Sequence, residues 1–317
     1  MHFDVFNGDA DGLCALQQLR LATPRDAVLV TGVKRDIALL RRVPAEAGDA
    51  VTALDISLDV NRAALDALLE RGVAVEYFDH HHAADIPSHP KLTAHIDGAP
   101  DVCTGILVDR HLGGAQRPWA VVAAYGDNLD APATALAASI GLGNDEQALL
   151  RELGRDLAYN AYGDTEVDLI VHPAELFRVM HGYADPLRFA RSETVLRTIG
   201  DSRHGDLASA RAIAAETVSP GAAAWVLPDA AWSRRVRGAF GNELAHAFPQ
   251  RAHAVLTPDG QGGYTVSVRA PLARPIGADA LCRQFDSGGG RVGAAGINHL
   301  PRDQLELFLR RLAQAFP

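Results

Sequence analysis

The chain has 317 residues, a net charge of −9 and 48% hydrophobic residues, enough for two domains that each bury a core. The acidic balance argues against broad binding to long duplex nucleic acid, and no run of about 18 apolar residues offers a membrane span. No basic segment followed by an apolar one opens the chain. Its three cysteines (Cys14, Cys103 and Cys282) are too scattered for a disulfide framework or a thiolate metal cluster, so a cytoplasmic setting is expected. Charge is unevenly spread: from Pro220 onward 11 arginines face 7 acids, a local +4 that leaves −13 before it. That asymmetry suits acids that hold cations at the front and arginines that hold an anion behind.

In chain order, the front half alternates strands and helices. Strands are predicted at 3–6, 27–31, 50–56, 73–78 and 92–96, with helices from about Asp11, at 37–42 and at 61–71. Leu65, Leu68 and Leu69 share one face of the last of these helices, and Gly72 stands where a left-handed cap belongs. Strand–helix alternation with short connections predicts a parallel sheet covered on both faces. From Pro118 to Thr217 the pattern is helical, without a strand signal. Ser219-Pro220-Gly221 marks a break. Beyond it come a strand at 223–227, a helix at 233–247, strands at 252–257 and 264–269, a helix at 277–285, a glycine run and a final helix at 302–316. The fold class expected is α/β: a parallel-sheet domain with a helical extension over 1–200, a helical linker at 201–219, and a smaller α/β domain over 220–317.

What ends each front strand is more specific than the strands themselves. The first runs into "FNGDADGLCAL", with Asp9 and Asp11 between Gly8 and Gly12; the third ends at Asp55; the fourth ends in Asp79-His80-His81; and Asp127 closes an apolar helical stretch. Strand ends on one edge of a parallel sheet lie side by side, so these groups should converge. Crowded carboxylates repel and lose hydration at a cost of several kcal/mol unless cations neutralise them. Carboxylate and imidazole without thiolate suit Mn²⁺ or Mg²⁺. The glycines are expected to form a tight turn that presents both carboxylates.

With these residues in view, the chain resembles the DHH phosphoesterase family. "DADG" is similar to its first motif, Asp55 to its second, "DHH" at 79–81 to its third and Asp127 to its fourth. "GGGRVGAAG" (288–296) resembles the glycine signature of the DHH-associated C-terminal domain, and "SVRA" (267–270) the strand that carries a substrate-binding arginine. The resemblance implies hydrolysis of phosphoesters at two metal ions, expected to be Mn²⁺ with Mg²⁺ as the other candidate, through a bridging hydroxide. It implies that Asp55 bridges the metals, that Asp11, His80 and Asp127 complete the second, and that Asp9 serves the first. His81 would face the phosphate. Asp79 is divided between orienting a histidine and touching metal, and is counted with Asp55 and His81 among the catalytic residues. Gly288, Gly289, Gly290, Arg291 and Arg269 would hold substrate with His81.

Two departures stand out. Val5 occupies the place where phosphatase-like members carry a histidine, and Asn7 the place where the exonuclease branch carries an aspartate, so Asn7 is expected to bind the first metal through its amide oxygen. Arg291 replaces the histidine of the glycine signature and can fork onto a terminal phosphate. Cys103, in "DVCTG", stands where a small hydroxyl residue usually opens a helix. His82 is read as a bystander, and Lys34, Arg35 and "YNAYG" (159–163) as candidate lining of the cleft.

The expected substrate is a short oligonucleotide or a linear dinucleotide, cut to nucleoside monophosphates and clamped by the basic C-terminal domain. Long strands need a basic track, which the composition lacks. A phosphomonoesterase acting on 3′-phosphoadenosine 5′-phosphate is the alternative, and a nucleotide sensor with a decayed metal site a further one. No membrane partner is expected, and a homodimer is left open.

Overall fold

Along the first strand Phe3 and Val5 point to one side and Asp4 and Phe6 to the other, so this strand needs cover on both faces. The computed structural model, which describes residues 1–317 except for the side chain of Thr217, provides that cover. The chain divides into two units, Met1–Asp201 and Ser202–Pro317.

The first unit opens with β1 (His2–Phe6), α1 (Ala10–Ala22), β2 (Val28–Val30), β3 (Ala50–Leu54), α2 (Leu58–Glu70), β4 (Ala74–Asp79) and β5 (Leu92–Ile96). The five strands are all parallel, in the order β2-β1-β3-β4-β5. Phe3, Val5, Val51, Ala53, Val75 and Tyr77 pack with Leu65, Leu68 and Leu69 of α2 on one face. Phe6, Leu54 and Phe78 pack with Leu13 and Leu16 of α1 on the other. Gly72 follows α2 with φ +82, the left-handed position expected of it. The helix expected at 37–42 shrinks to one 3-10 turn, Leu39–Arg42. Pro44 forces Val43 into extended backbone and stops it there.

Strand order reverses between β1 and β3, so the connections after these neighbours leave in opposite directions. A crevice opens at their carboxyl ends, where ligands collect in such sheets.

The helical extension follows: α3 (Thr104–His111), α4 (Arg117–Gly126), α5 (Asp130–Ser139), α6 (Asn144–Asn160), α7 (Pro173–Met180), α8 (Pro186–Ser192) and α9 (Thr194–Arg211). Helix α4 is buried from Trp119 to Gly126. A Cβ on Gly126 would lie 2.3 Å from the Cβ of Ala10, so only glycine lets the end of α4 touch the start of α1. That contact sets Asp127, the next residue, beside the β1–α1 turn.

The second unit contains β6 (Glu216–Ser219), β7 (Ala222–Val226), α10 (Ala231–Ala247), β8 (Ala252–Pro258), β9 (Gly263–Arg269), α11 (Ala278–Cys282), β10 (Gly288–Arg291), β11 (Ala294–Pro301) and α12 (Leu305–Ala315). Its sheet runs β10-β11-β9-β8-β7-β6, with β7 and β8 parallel and every other pair antiparallel. Ala224, Leu256, Val266 and Val268 face Leu281, Phe308 and Leu312 on one side, while Trp225 meets Phe240 of α10 on the other.

Two expectations change here. The stretch 201–219, read as a helical linker, carries the end of α9 and the strand β6, both within the second unit. Ser219-Pro220-Gly221 is the turn joining β6 to β7, because Pro220 and Gly221 serve a hairpin as readily as a boundary. The glycine run 288–290, given no element of its own in the sequence, is the edge strand β10, paired with β11 through a tight turn at Val292-Gly293. Among the described residues no helix is long and apolar enough to cross a membrane.

Candidate metal centre

The turn from β1 into α1 is built by Asp9 and Gly12. Asp9 caps α1, its Oδ1 accepting from the backbone N–H of Asp11 at 3.0 Å and of Gly12 at 3.2 Å. Neither Gly8 nor Gly12 adopts a left-handed backbone, so the expected reason for them changes. A Cβ on Gly12 would meet the carbonyl oxygen of Asn7 at 2.2 Å; the glycine is there for close approach.

Asp11 is fully buried and points at the start of α3. Its carboxylate accepts from the N–H groups of Thr104 at 2.8 Å and Gly105 at 2.7 Å, which fixes its orientation and leaves lone pairs on both oxygens. Asp55 follows β3 with φ +58; among the described residues it and Asn128, directly after Asp127, are the non-glycine residues with positive φ. Aspartate and asparagine tolerate that conformation best, and such strain gathers at functional sites. The hydroxyl of Thr104 donates to Asp55 Oδ1 at 3.4 Å.

His80, after β4, sits at the centre. Its Nε2 lies 3.4 Å from Asp55 Oδ1 and 3.9 Å from both Asp11 Oδ2 and Asp127 Oδ2. Asp11, His80 and Asp127 bring donor atoms within 4.8 Å of one another, and Asp55 adjoins them through His80, so a modest contraction would let these groups share a cation. One imidazole and three carboxylates form a set that hard divalent cations accept. Asp55, His80 and His81 also bring donor atoms within 4.8 Å of one another.

The electrostatics agree with the geometry. Burial, then the charges of Asp11 and Asp9, hold the Asp55 carboxyl well above the usual range. Burial and the charge of Asp11 push Asp127 up to about 6. Ionising all of these acids together is therefore disfavoured unless a cation joins them.

Asp79 takes the orienting role of its two. Its Oδ1 bonds His81 Nδ1 at 2.6 Å and accepts the His81 N–H at 3.2 Å, while Oδ2 accepts from Leu58 N–H at 3.3 Å. This bond with Asp79 raises the basicity of His81 and leaves its Nε2 to meet other groups. His82 is exposed, beside Asp59 at 3.8 Å and outside the cluster.

Asn7, expected to bind the first metal through its amide oxygen, is engaged in the turn: that oxygen accepts from Asp9 N–H at 3.2 Å and the amide nitrogen donates to the Lys34 carbonyl at 3.1 Å. Val5 is wholly buried in the core against α2. Lys34, only a candidate for the cleft lining, lies inside the centre. Its Nζ is 2.5 Å from Asp9 Oδ2 and 3.8 Å from Asp127 Oδ1. Arg35 pairs instead with Asp164 at the surface.

Thr104, which sequence reasoning passed over, supplies the hydroxyl sought at Cys103. Cys103 is the residue before α3, and burial holds its thiol well above the ordinary range, which rules it out as a nucleophile. The helix-opening pattern Thr-Gly after "DVC" was the available signal.

In the second unit Arg269 ends β9, with Nε donating to Asn242 Oδ1 at 2.7 Å and Nη1 to Ser267 Oγ at 2.9 Å. Its stem lies over Gly241 of α10. Arg291 is exposed at the end of β10.

No protein-family model matches the sequence, and no curated protein does. Solved structures do match. An exonuclease RecJ bound to manganese superposes with a TM-score of 0.65 at 19% identity, covering all of this chain and 91% of its own. The fold is that of RecJ. RecJ from Thermus thermophilus in complex with Mn²⁺ gives 0.59 at 19% identity, and this chain spans 52% of that longer one. A pGpG-specific phosphodiesterase, PggH of Vibrio cholerae, gives 0.56 at 12% identity over 98% of both chains. The two-unit α/β architecture expected from the resemblance to DHH phosphoesterases is therefore the architecture found, and these similarities establish the fold alone.

Proposed function

We propose that the chain is a metal-dependent phosphodiesterase that hydrolyses short oligonucleotides or linear dinucleotides to nucleoside monophosphates. The observation that carries this reading is the gathering of Asp11, Asp55 and Asp127 around His80 Nε2 at the switch of the parallel sheet. Like folds in a manganese-bound exonuclease and in a dinucleotide phosphodiesterase favour Mn²⁺ and a small nucleotide. Three free, buried cysteines suit a reducing cytoplasm.

A divalent cation held by these four residues supplies an activated water and offsets charge on the phosphate. The chain's own groups do the rest. Asp11, fixed by two backbone donors, and Asp55, fixed by its turn, hold the anionic wall in place before substrate arrives, which removes reorganisation from the reaction. Water oxygen bonds to phosphorus as it releases a proton to solvent, and the P–O ester bond breaks, so the leaving oxygen needs a proton. His81, kept basic by Asp79, carries one on Nε2 and is the group we assign to deliver it. Arg269 and Arg291 of the second unit are assigned to bind substrate phosphate, Arg291 by a bidentate fork.

The test is turnover by the purified chain in Mn²⁺, with labelled dinucleotides, pentanucleotides and 3′-phosphoadenosine 5′-phosphate. Nucleoside monophosphate from the first two is expected. Phosphate release from the third alone would favour the phosphomonoesterase, and binding of all three without product the decayed sensor.

A further inference from the structure

The resemblance implies two cations, yet the residues of the first position do not fit one. Val5 lies in the core, and Asn7 spends its amide on Asp9 and Lys34. Asp9 commits Oδ1 to the cap of α1 and Oδ2 to Lys34. The geometry points to Lys34 as a resident positive charge in place of the first cation, leaving a centre that binds a single divalent ion through Asp11, Asp55, His80 and Asp127.

Lys34 is strapped for that position. Its backbone N–H donates to the Ala161 carbonyl at 2.8 Å and its carbonyl accepts from Asn7 at 3.1 Å, so the main chain is tied on both sides and the side chain is aimed inward. Its ammonium lies between Asp9, the acid of the first position, and Asp127, a ligand of the remaining ion. Composition adds an independent indication. The chain uses arginine 28 times and lysine twice, at Lys34 and Lys91, so an ammonium here runs against a strong bias toward guanidinium. An ammonium is a compact point charge that fits where an ion would, and a planar guanidinium is not. The consequence is economy of metal: four acids and two imidazoles face one bound dication and one covalently tethered charge that dilution cannot remove.

This inference rests on the metal-centre reading above, and counting ions separates the two. The full chain is stripped with EDTA, dialysed against Mn²⁺ and analysed for manganese per chain, and its electron paramagnetic resonance spectrum is recorded. One ion per chain is expected, with the spectrum of isolated Mn²⁺. Lys34→Met, which keeps length and removes charge, is expected to hold a second ion and to show an exchange-coupled pair. Two coupled ions in the unaltered chain, or a count of one in Lys34→Met, would overturn the assignment of Lys34. No ion in the unaltered chain would overturn the metal centre itself and the inference with it. Should Lys34→Met fail to fold, the spectrum of the unaltered chain decides by itself, and Asp11→Asn, expected to lose the one ion, checks that the count reports this site.

Discussion

Charged groups are used in opposite ways by the two units. In the first, acids are drawn from the ends of β1, β3 and α4 into a buried nest where Lys34 is the nearby partner for Asp9 and Asp127, and the acids outnumber it. In the second, the arginines lie at the surface or against short polar groups: Arg269 on Asn242 and Ser267, Arg234 on Asp229, Arg211 on Glu243. A buried unneutralised cluster is costly and has to be explained by something it binds. Surface arginines cost little and carry no such message. The first unit thus announces its chemistry in its own electrostatics, whereas the arginines of the second carry no comparable signal.

The largest way to break this contrast is Asp55→Asn. Asparagine keeps the shape and tolerates the left-handed backbone at this position, so the change removes charge with little strain. Turnover is expected to fall at least about 10³-fold, as for loss of a central charge-stabilising group. Without metal the variant should melt higher than the parent, since a buried, raised carboxyl has been removed. A lower melting temperature in EDTA would show that the nest is not repulsive.

Asp79→Asn sharpens the comparison within the first unit. Asp79 touches His81 and Leu58 and no proposed cation ligand, so it acts by positioning. Loss of such an orienting carboxylate costs about 10–100-fold. Because Asp79 holds His81 basic, the alkaline limb of the kcat/KM profile should also move to lower pH. A drop in rate with an unmoved limb would mean that His81 carries no essential proton. For the second unit, Arg291→Ala is expected to raise KM about tenfold, the value of one charge-assisted bond, with a smaller change in kcat. An unchanged KM would remove Arg291 from substrate binding.

The same contrast governs what could be read from sequence. Asp9, Asp11, Asp55 and His80 were legible because parallel-sheet geometry brings strand ends together, whatever the loops between them do; Asp127 ends helix α4 and was legible only through its resemblance to the fourth motif. Strands β1 and β3 to β5 were legible from continuous apolar runs bounded by turn residues. Lys34 was not, since its place depends on two backbone ties, one to Asn7 and one to Ala161, 127 residues further along the chain. Asn7 was ambiguous because an amide oxygen suits a metal or a turn equally, and only the hydrogen bonds place it in the turn. The glycine run gave no strand signal for a related reason: glycine permits a loop, and only antiparallel pairing with the "AAG" residues of β11 makes it a strand.

The smallest expected effect is a pH slope in stability. In the metal-free protein Asp127 titrates near 6 and Asp55 is raised well above its unfolded value, so between about pH 4 and 6 the native state binds more protons than the unfolded chain. Stability must then decrease as pH rises through that window. Asp9 works the other way: burial would raise it, but Lys34 holds it below the usual range, so its contribution is lost only as pH falls beneath about 4. The melting temperature in EDTA should therefore peak on the acid side, near pH 4. Saturating Mn²⁺ should lift it by more at pH 7.5 than at pH 5, because the ion relieves repulsion only where the carboxylates are ionised and protons no longer compete. An equal lift at both values would mean that manganese binds somewhere other than this nest of acids.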